Sequence, residues 1–409
     1  MSVTVSIIGL AVLILLHEAG HFFTARAVGM RPRRFYVGFP PALAKTTRNG
    51  IEYGLGAIPL GGYVKIPGMH RPAPSDLEVF FGGAVQEAPQ LLGPVARVKR
   101  PLVEGDMDNA RASLRELAAA VETAQLSSGA TRAAERGLRE LDDGLGADAY
   151  WRQRTWRRLA VVSAGPGTNL AFAIALLAVV YMIGIPFDAS RRVATVTAKS
   201  PAAAIGLRSG DVIVGINRHP TDTFKELSKR IRGSHGQPLV VSVIRNGKYL
   251  ELGPKRPQKI DGYYALGFRP SGIRYKRYGA GQALKFAAED TWTWTKRIVS
   301  FLGHITKRSN REQISTPVGI VSQSSKAVQS GYRDYLAVLA LISLSLTLLN
   351  LLPLLPLDGG HIAFSIIEGI RGRAVGRAVY ERVSAVGIAL VLLLYIVGIS
   401  NDIGRLNGG

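Results

Sequence analysis

Cysteine is absent from the 409 residues of this chain. Disulfide bonds and thiolate metal ligands are therefore excluded, and nitrogen and oxygen atoms would have to hold any metal ion. Acidic side chains are also scarce, because 29 aspartates and glutamates stand against 51 lysines and arginines and leave a formal net charge of +22. Such a charge is typical of a protein that binds either nucleic acid or an anionic membrane surface. The placement of the basic residues distinguishes these two possible partners.

The basic residues are scattered, and many of them flank apolar blocks, as at positions 31–34, 152–158 and 371–377. Anionic lipid headgroups explain this placement, so we expect a lipid bilayer and no nucleic acid as a partner. The positive-inside rule then predicts that the first loop between membrane helices lies in the cytosol.

Long apolar runs occur near positions 3–28, 159–185, 336–357 and 383–399. Each approaches the roughly 20 residues that are needed to cross a hydrocarbon core of about 30 Å. No basic region precedes the first run, so we expect it to be retained rather than removed as a signal peptide. The sequence therefore predicts a multi-pass α-helical membrane protein with about four transmembrane helices.

Three polar residues interrupt the first apolar run in the sequence LLHEAGHFF. His17 and His21 are four residues apart, so a helix projects both imidazoles from one face, where they can bind one divalent cation. Glu18 occupies the position of the general base in an H-E-x-x-H arrangement. An ionisable group at bilayer depth costs roughly 2.5–3.5 kcal/mol, so it persists mainly where it has a partner or a function.

A hydrolytic zinc site usually has three protein ligands, so the two histidines need a third. Asp358 is the candidate, because it ends the third apolar run in the sequence NLLPLLPLDGGHIAF. Pro353 and Pro356 break the helix there and let non-helical chain line a cavity. Alternatively, Asp358 only caps the next helix, and His361 is the second candidate for the ligand.

The segments between the apolar runs have different patterns. Asn49-Gly50, between β-prone residues, predicts a tight β-hairpin. The segment that follows has the spacing of a helical hairpin, with Asp108 or Asn109 as a helix N-cap. Short strands, glycine turns and one helix indicate a small α+β or β-barrel module at about 191–257.

The aromatic segment after this module is amphipathic. Its Trp292 and Trp294 are placed as they would be at a membrane interface, although an ordinary packed helix explains the pattern equally well.

Three motifs resemble the signatures of the site-2 protease family of intramembrane zinc metalloproteases. They are HEAGH in the first apolar run, GPGTN at 165–169 in the second, and NLLPLLPLDGG at 350–360 in the third. The sequence SPAAAIGLRSGDVIVGIN, at 200–217, is similar to a PDZ domain, which indicates the bacterial RseP-type branch with one PDZ domain. The resemblance covers most of residues 1–69 and the chain from about 155 onward.

The resemblance implies one Zn²⁺ ion and a set of site residues. The implied zinc ligands are His17, His21 and Asp358, with Glu18 as catalytic base. It also implies substrate-facing or oxyanion-supporting roles for Asn350 and Asn169, although a buried asparagine can equally satisfy the carbonyls of a broken helix.

The ribbon at 42–65 has strand edges on which an extended, unwound substrate could pair. Its predicted substrate-binding residues are Gly61, Gly62 and Tyr63. Alternatively, the ribbon only plugs the membrane face of the site.

The implied function is hydrolysis of peptide bonds within the transmembrane segments of single-pass proteins. An anti-sigma factor already cleaved by another protease, or a signal-peptide remnant, would be such a substrate. The expected location is the bacterial cytoplasmic (inner) membrane, with the PDZ-like domain on the extracytoplasmic side. One alternative is a catalytically inactive PDZ-bearing membrane scaffold, against which the intact motif residues argue. Another is a metal or proton transporter, which the lack of an evident repeat disfavours.

These patterns divide the chain into nine segments. In order, they are transmembrane helix 1 with HEAGH (1–30), a membrane-associated β-ribbon (31–69), a helical cytosolic insertion (70–156), transmembrane helix 2 (157–187), the PDZ-like domain (188–270), an amphipathic connector (271–333), transmembrane helix 3 (334–357), the LDGG loop with a basic segment (358–382), and transmembrane helix 4 with the tail (383–409).

Overall fold

The computed structural model of the protein describes residues 2–260, 263–304 and 316–407. Residues 305–315 of the predicted connector lie outside this range. The chain forms two compact units, one made of Met1–Leu176 with Ala288–Gly409 and the other of Leu177–Ala287.

The helices of the described residues are α1 Ser2–Ala27, α2 Pro74–Glu87, α3 Leu92–Glu104, α4 Met107–Thr123, α5 Ser128–Leu145, α6 Thr155–Ile183, α7 Pro201–Ala204, α8 Phe224–Arg232, α9 Ala280–Gly303, α10 Pro317–Ser330, α11 Tyr332–Asn350, α12 Asp358–Arg371 and α13 Arg377–Asn407. The strands are β1 Arg34–Arg48, β2 Ile51–Lys65, β3 Ile185–Ala189, β4 Val193–Val196, β5 Val212–Ile216, β6 His219–Pro220, β7 Leu239–Arg245, β8 Lys248–Lys255, β9 Gln258–Ile260, β10 Tyr263–Ala265, β11 Phe268–Pro270 and β12 Ile273–Lys276.

Four helices are long and apolar enough to cross a membrane, namely α1, α6, α11 and the part of α13 at Val379–Asp402. This finding confirms the prediction of about four transmembrane helices. Helix α11 ends at Asn350, before the bound of 357 that the sequence suggests. The reason is that Pro353 has no N–H and disfavours helical backbone at the residue before it.

Strands β1 and β2 pair antiparallel around a turn in which Asn49 and Gly50 have φ angles of 53° and 77°. The pair does not remain a simple two-stranded hairpin, because the residues at the start of β1 also pair with the middle of β2. Arg34, for example, is opposite both Glu52 and Lys65. The segments therefore lie side by side in the order 42–48, 51–56, 34–37 and 62–65. Among the described residues, the 62–65 segment pairs only with 34–37, so it is an edge of this sheet.

The insertion after the sheet contains four α-helices, α2 to α5, rather than a helical hairpin alone. Their buried side chains form one core, whose largest members are Leu77, Phe81, Leu91, Leu117, Leu141 and Leu145. The N-cap of α4 is Asp106, whose side chain accepts from the backbone N–H of Asn109 at 3.0 Å. The prediction of Asp108 or Asn109 as N-cap was therefore wrong by two or three residues, because buried Met107 already belongs to the helix.

Ion pairs join the insertion to the base of the sheet. Arg33 Nε lies 2.7 Å from Asp143 Oδ1, and Lys65 Nζ lies 3.1 Å from Asp143 Oδ2. Farther along, Tyr150 donates its backbone N–H to Pro67 at 2.8 Å, and its hydroxyl lies 2.9 Å from Ser365 Oγ in α12. The insertion is thus fixed both to the sheet and to the helix that begins at Asp358.

The unit Leu177–Ala287 has its own sheet with the strand order β6-β5-β7-β8. Strands β7 and β8 meet at a turn where Asn246 and Gly247 have positive φ. Helix α8 covers the core with Leu227 and Ile231. The order of strand, turn, strand, helix and hairpin that the amino-acid pattern predicts is therefore present in this unit.

Candidate metal centre

Helix α1 presents the two histidines of the HEAGH motif on its inner face. His17 and His21 are only 9% and 8% exposed, although their neighbours on the helix are largely apolar. Their imidazole Nε2 atoms are 3.2 Å apart. The four-residue spacing therefore places both rings at one point, as expected for an α-helix.

Asp358 lies at this same point, although 337 positions separate it from His21. Its Oδ2 atom is 3.1 Å from His17 Nε2 and 3.4 Å from His21 Nε2. It is the first residue of α12, while the cap position is Leu357, and no side-chain capping bond forms there. The structure therefore does not place Asp358 in the helix-capping role that was the alternative.

The spacing of these three atoms suits a tetrahedral zinc ion. Zinc bonds of about 2.0–2.2 Å place neighbouring ligand atoms roughly 3.3–3.6 Å apart. The observed separations of 3.1, 3.2 and 3.4 Å are close to that range. In addition, Asp358 Oδ2 is buried and has no hydrogen-bond donor among the described residues. An orphaned carboxylate oxygen facing two imidazole nitrogens fits a cation, and this His–His–Asp group is the one candidate metal cluster in the described part of the chain.

Helix α6 supports both imidazoles from behind. His21 Nδ1 lies 2.8 Å from the carbonyl oxygen of Val161, and His17 Nδ1 lies 3.4 Å from Asn169 Nδ2. Between these contacts, Gly165 lets the rings lie directly against the helix, because a Cβ atom there would collide with both of them. The GPGTN motif thus brings α6 close enough to hold the histidines.

Glu18 lies beside the cluster and under the sheet. Val64 hydrogen-bonds the Glu18 carboxylate through its backbone. Gly62 packs against the same side chain, since a Cβ atom at this position would be 3.0 Å from Glu18 Cγ and 2.7 Å from the carbonyl oxygen of Tyr36. The edge segment 62–65 therefore both orients Glu18 and approaches the three candidate ligands.

One cavity of about 740 Å³ brings the predicted site residues together. Its lining includes all nine of them: His17, Glu18, His21, Gly61, Gly62, Tyr63, Asn169, Asn350 and Asp358. His361 also lines the cavity, but its Nδ1 atom lies 2.7 Å from the hydroxyl of Tyr380, and it is not part of the converging cluster.

Some residues of the site were not predicted from the sequence. Val161 is one of them, because a backbone carbonyl has no side-chain signal. Ser343 and Thr347 are others; they donate to the carbonyl oxygens of Asn169 and Pro166 at 2.8 and 3.2 Å and so hold α6 against α11. Serine and threonine in an apolar helix are common, so only their contacts reveal this function.

Two buried imidazoles on an apolar helix, a carboxylate that faces them and a glutamate beside them are typical of the integral membrane metalloproteases. The chain belongs to peptidase family M50, which matches residues 5–394. It is 30% identical to the regulator of sigma-E protease RseP of Salmonella typhimurium, with 98% of each chain covered. It is 28% identical to the zinc metalloprotease RasP of Geobacillus kaustophilus, with 96% of this chain and 95% of the relative covered.

These findings confirm the predicted family, the enzyme class and the cofactor. The protein is a zinc metalloprotease of family M50, and Zn²⁺ is its metal. Its four long apolar helices make it an integral membrane protein.

Proposed function

We propose that this protein hydrolyses peptide bonds within the membrane, with zinc held by His17, His21 and Asp358. The observation that supports this most directly is the convergence of their three ligand atoms, two of which belong to the long apolar helix α1. When bound there, zinc supplies a Lewis acid that acidifies a coordinated water and polarises a carbonyl group.

Glu18 is the proposed general base. On an α-helix, residues 17 and 21 project from one face, whereas residue 18 projects in a different direction. Glu18 therefore lies beside the ligands rather than among them. The sheet edge holds its carboxylate through the backbone of Val64. From this position the carboxylate takes the proton from the attacking water and passes it to the leaving amine.

The test compares the wild-type protein with Glu18→Gln in detergent, using a transmembrane test substrate and a measurement of bound zinc. We expect cleavage to fall by about 10²–10⁴-fold because the base is lost. One zinc per chain should remain, since Glu18 is not a ligand. Equal cleavage by both proteins would reject the base, and a wild type that holds zinc without cleaving would favour the inactive scaffold.

The proposed substrates are single-pass membrane proteins already cleaved by another protease, such as an anti-sigma factor, or signal-peptide remnants. A transmembrane helix hides its carbonyl groups in its own hydrogen bonds, so the substrate must unwind before hydrolysis. The edge segment 62–65, with Gly61, Gly62 and Tyr63 lining the cavity, offers backbone groups to an extended peptide. Asn350, which lines the same cavity, is the proposed amide that faces the substrate.

Proline substitution tests this edge, because proline cannot donate a backbone hydrogen bond. Tyr63→Pro should slow cleavage by about tenfold or more, on the order of one lost backbone pairing of about 1.5 kcal/mol. Thr46→Pro is the matched control, since Thr46 lies on the other edge segment, 42–48. Both variants should retain zinc. If both cleave at the same rate, the edge does not bind substrate, and the sheet only plugs the site.

The unit Leu177–Ala287 is proposed to be a PDZ-like domain on the extracytoplasmic side of the bacterial inner membrane, with the first loop and the insertion in the cytosol. Cysteine labelling tests this orientation in a chain that has no cysteine of its own. A membrane-impermeant maleimide should label Lys255→Cys in intact cells and Arg132→Cys only after permeabilisation, as both positions are exposed. The reverse labelling would invert the orientation.

A further inference from the structure

The two histidines of the candidate metal centre do not receive equivalent support from α6. Both point Nε2 toward the cluster and Nδ1 toward this helix, but the group behind each Nδ1 differs. Behind His21 is a backbone carbonyl oxygen, and behind His17 is the side-chain amide of Asn169. This difference bears on which nitrogen of each ring has the hydrogen.

For His21 the assignment follows from chemistry alone. A carbonyl oxygen can only accept, so the 2.8 Å contact with Val161 requires a hydrogen on Nδ1. In a neutral imidazole the other nitrogen then has a free lone pair, and that nitrogen is the Nε2 atom facing Asp358. His21 is thus held in the tautomer that a metal ligand needs.

For His17 the same tautomer requires an acceptor at the position where the amide nitrogen of Asn169 now lies, 3.4 Å from Nδ1. An NH₂ group there would demand a lone pair on Nδ1 and so move the hydrogen to Nε2, which faces the cluster. Meanwhile the amide oxygen, Oδ1, is buried and has no hydrogen-bond partner among the described residues. Rotating the amide by half a turn exchanges these two atoms without changing its shape, and the correct choice is made from the hydrogen bonds.

We propose that Asn169 is a positioning residue for the metal centre: its Oδ1 accepts from Nδ1–H of His17 and fixes the ring with Nε2 toward the metal. The inference rests on the proposed zinc site, and it assigns to Asn169 a role different from contact with substrate. Its side chain is completely buried, and its backbone carbonyl accepts from Ser343 Oγ at 2.8 Å. Helix α11 therefore fixes the asparagine, which in turn fixes the ligand.

The test measures zinc affinity by competition with a chelator, so it does not depend on activity. Asn169→Leu has a similar size but no acceptor, and it should bind zinc about 10–100-fold more weakly, the usual effect of losing an outer-shell partner of a ligand. Asn169→Asp keeps an acceptor oxygen and should bind within about threefold of wild type by the same reasoning. A two-variant pattern of this kind would not arise from a merely structural role.

Asn350→Leu is the matched control, since Asn350 lines the same cavity and no hydrogen bond between it and a candidate ligand occurs among the described residues, so the zinc affinity of this variant should equal that of wild type. Wild-type affinity in Asn169→Leu, or equal weakening in Asn169→Leu and Asn169→Asp, would overturn the proposal. Melting temperatures of the zinc-free proteins identify variants that fail to fold. Asn169→Ala, which only removes atoms, then replaces Asn169→Leu with the same expected outcomes. If instead the proposed zinc site is wrong, His17→Ala would bind as much zinc as wild type, so this variant distinguishes the two outcomes.

Discussion

Two aspartates, one in each unit, have opposite surroundings. Asp211, in the unit Leu177–Ala287, is 1% exposed, and both of its oxygens are satisfied. Arg245 donates to Oδ1 and Oδ2 at 2.7 Å, and the backbone N–H of Arg208 donates to Oδ2 at 2.8 Å. Asp358, in the other unit, is half-buried, and its buried Oδ2 atom faces two imidazole nitrogens and receives no hydrogen bond from the described residues.

The difference separates a structural charge from one that is proposed to bind a metal ion. Burying a carboxylate without a partner is expensive, so a folded chain normally provides the partner itself. Asp211 has that partner in Arg245, and the pair fastens the end of β7 to the turn before β5. Asp358 instead leaves an oxygen for a partner that the chain does not supply, which is the condition for binding a cation.

The largest expected effect comes from removing the charge of Asp358, the proposed zinc ligand. Asp358→Asn keeps the size of the side chain but removes a zinc ligand and its charge. We expect zinc affinity to fall by more than the ~100-fold that follows loss of an outer-shell partner, and cleavage to be lost with it. Elemental analysis of the purified protein measures the zinc. A variant that still holds one zinc per chain would show that Asp358 is not a ligand. The proposed contrast between a metal-binding Asp358 and a structural Asp211 would then be wrong.

Removing the partner of the structural charge should affect stability instead. Arg245→Ala leaves Asp211 buried without an opposite charge and with only the backbone N–H of Arg208 as a donor, which should lower the free energy of unfolding of this unit by about 3 kcal/mol. Zinc content should not change. Arg218→Ala is the matched control, since the Arg218–Glu251 pair has an arginine that is 81% exposed, and an exposed pair contributes roughly 0.5 kcal/mol. Urea denaturation compares the variants, and equal stability of the two would contradict the structural role of Asp211.

The smallest effect is expected from acid. The hydrogen bonds from Arg245 hold the pKa of Asp211 below its ordinary value. A lowered pKa in the folded state means that the stabilisation is complete above the unfolded-state pKa of about 3.9 and is lost as the pH falls through the folded-state pKa. The unit should therefore lose stability below about pH 4. In Arg245→Ala the loss of stability in acid should be smaller than in the wild type. If the loss is unchanged, other carboxylates cause it.

Much of the fold was predictable because it depends on local patterns. Four apolar runs are long enough to span a membrane whatever surrounds them, and the Asn49-Gly50 turn requires only its own backbone. The first two helices of the insertion were not identified from the sequence; in the second of them, Pro94 and Pro101 interrupt the helical spacing. The folding of β1 and β2 into four adjacent segments was also missed, because pairing between residues such as Arg34 and Glu52 has no local signature.

The sequence by itself determined that two imidazoles would share one face of an apolar helix, because four residues make about one helical turn. It also indicated Asp358 as their partner, through the prolines and glycines that end α11 and begin α12. Only the tertiary structure decided that Val161 and Asn169 lie behind the rings, and that an edge of the sheet lies over Glu18. Such contacts join parts of the chain that are distant in sequence, so packing brings them together and local spacing does not specify them.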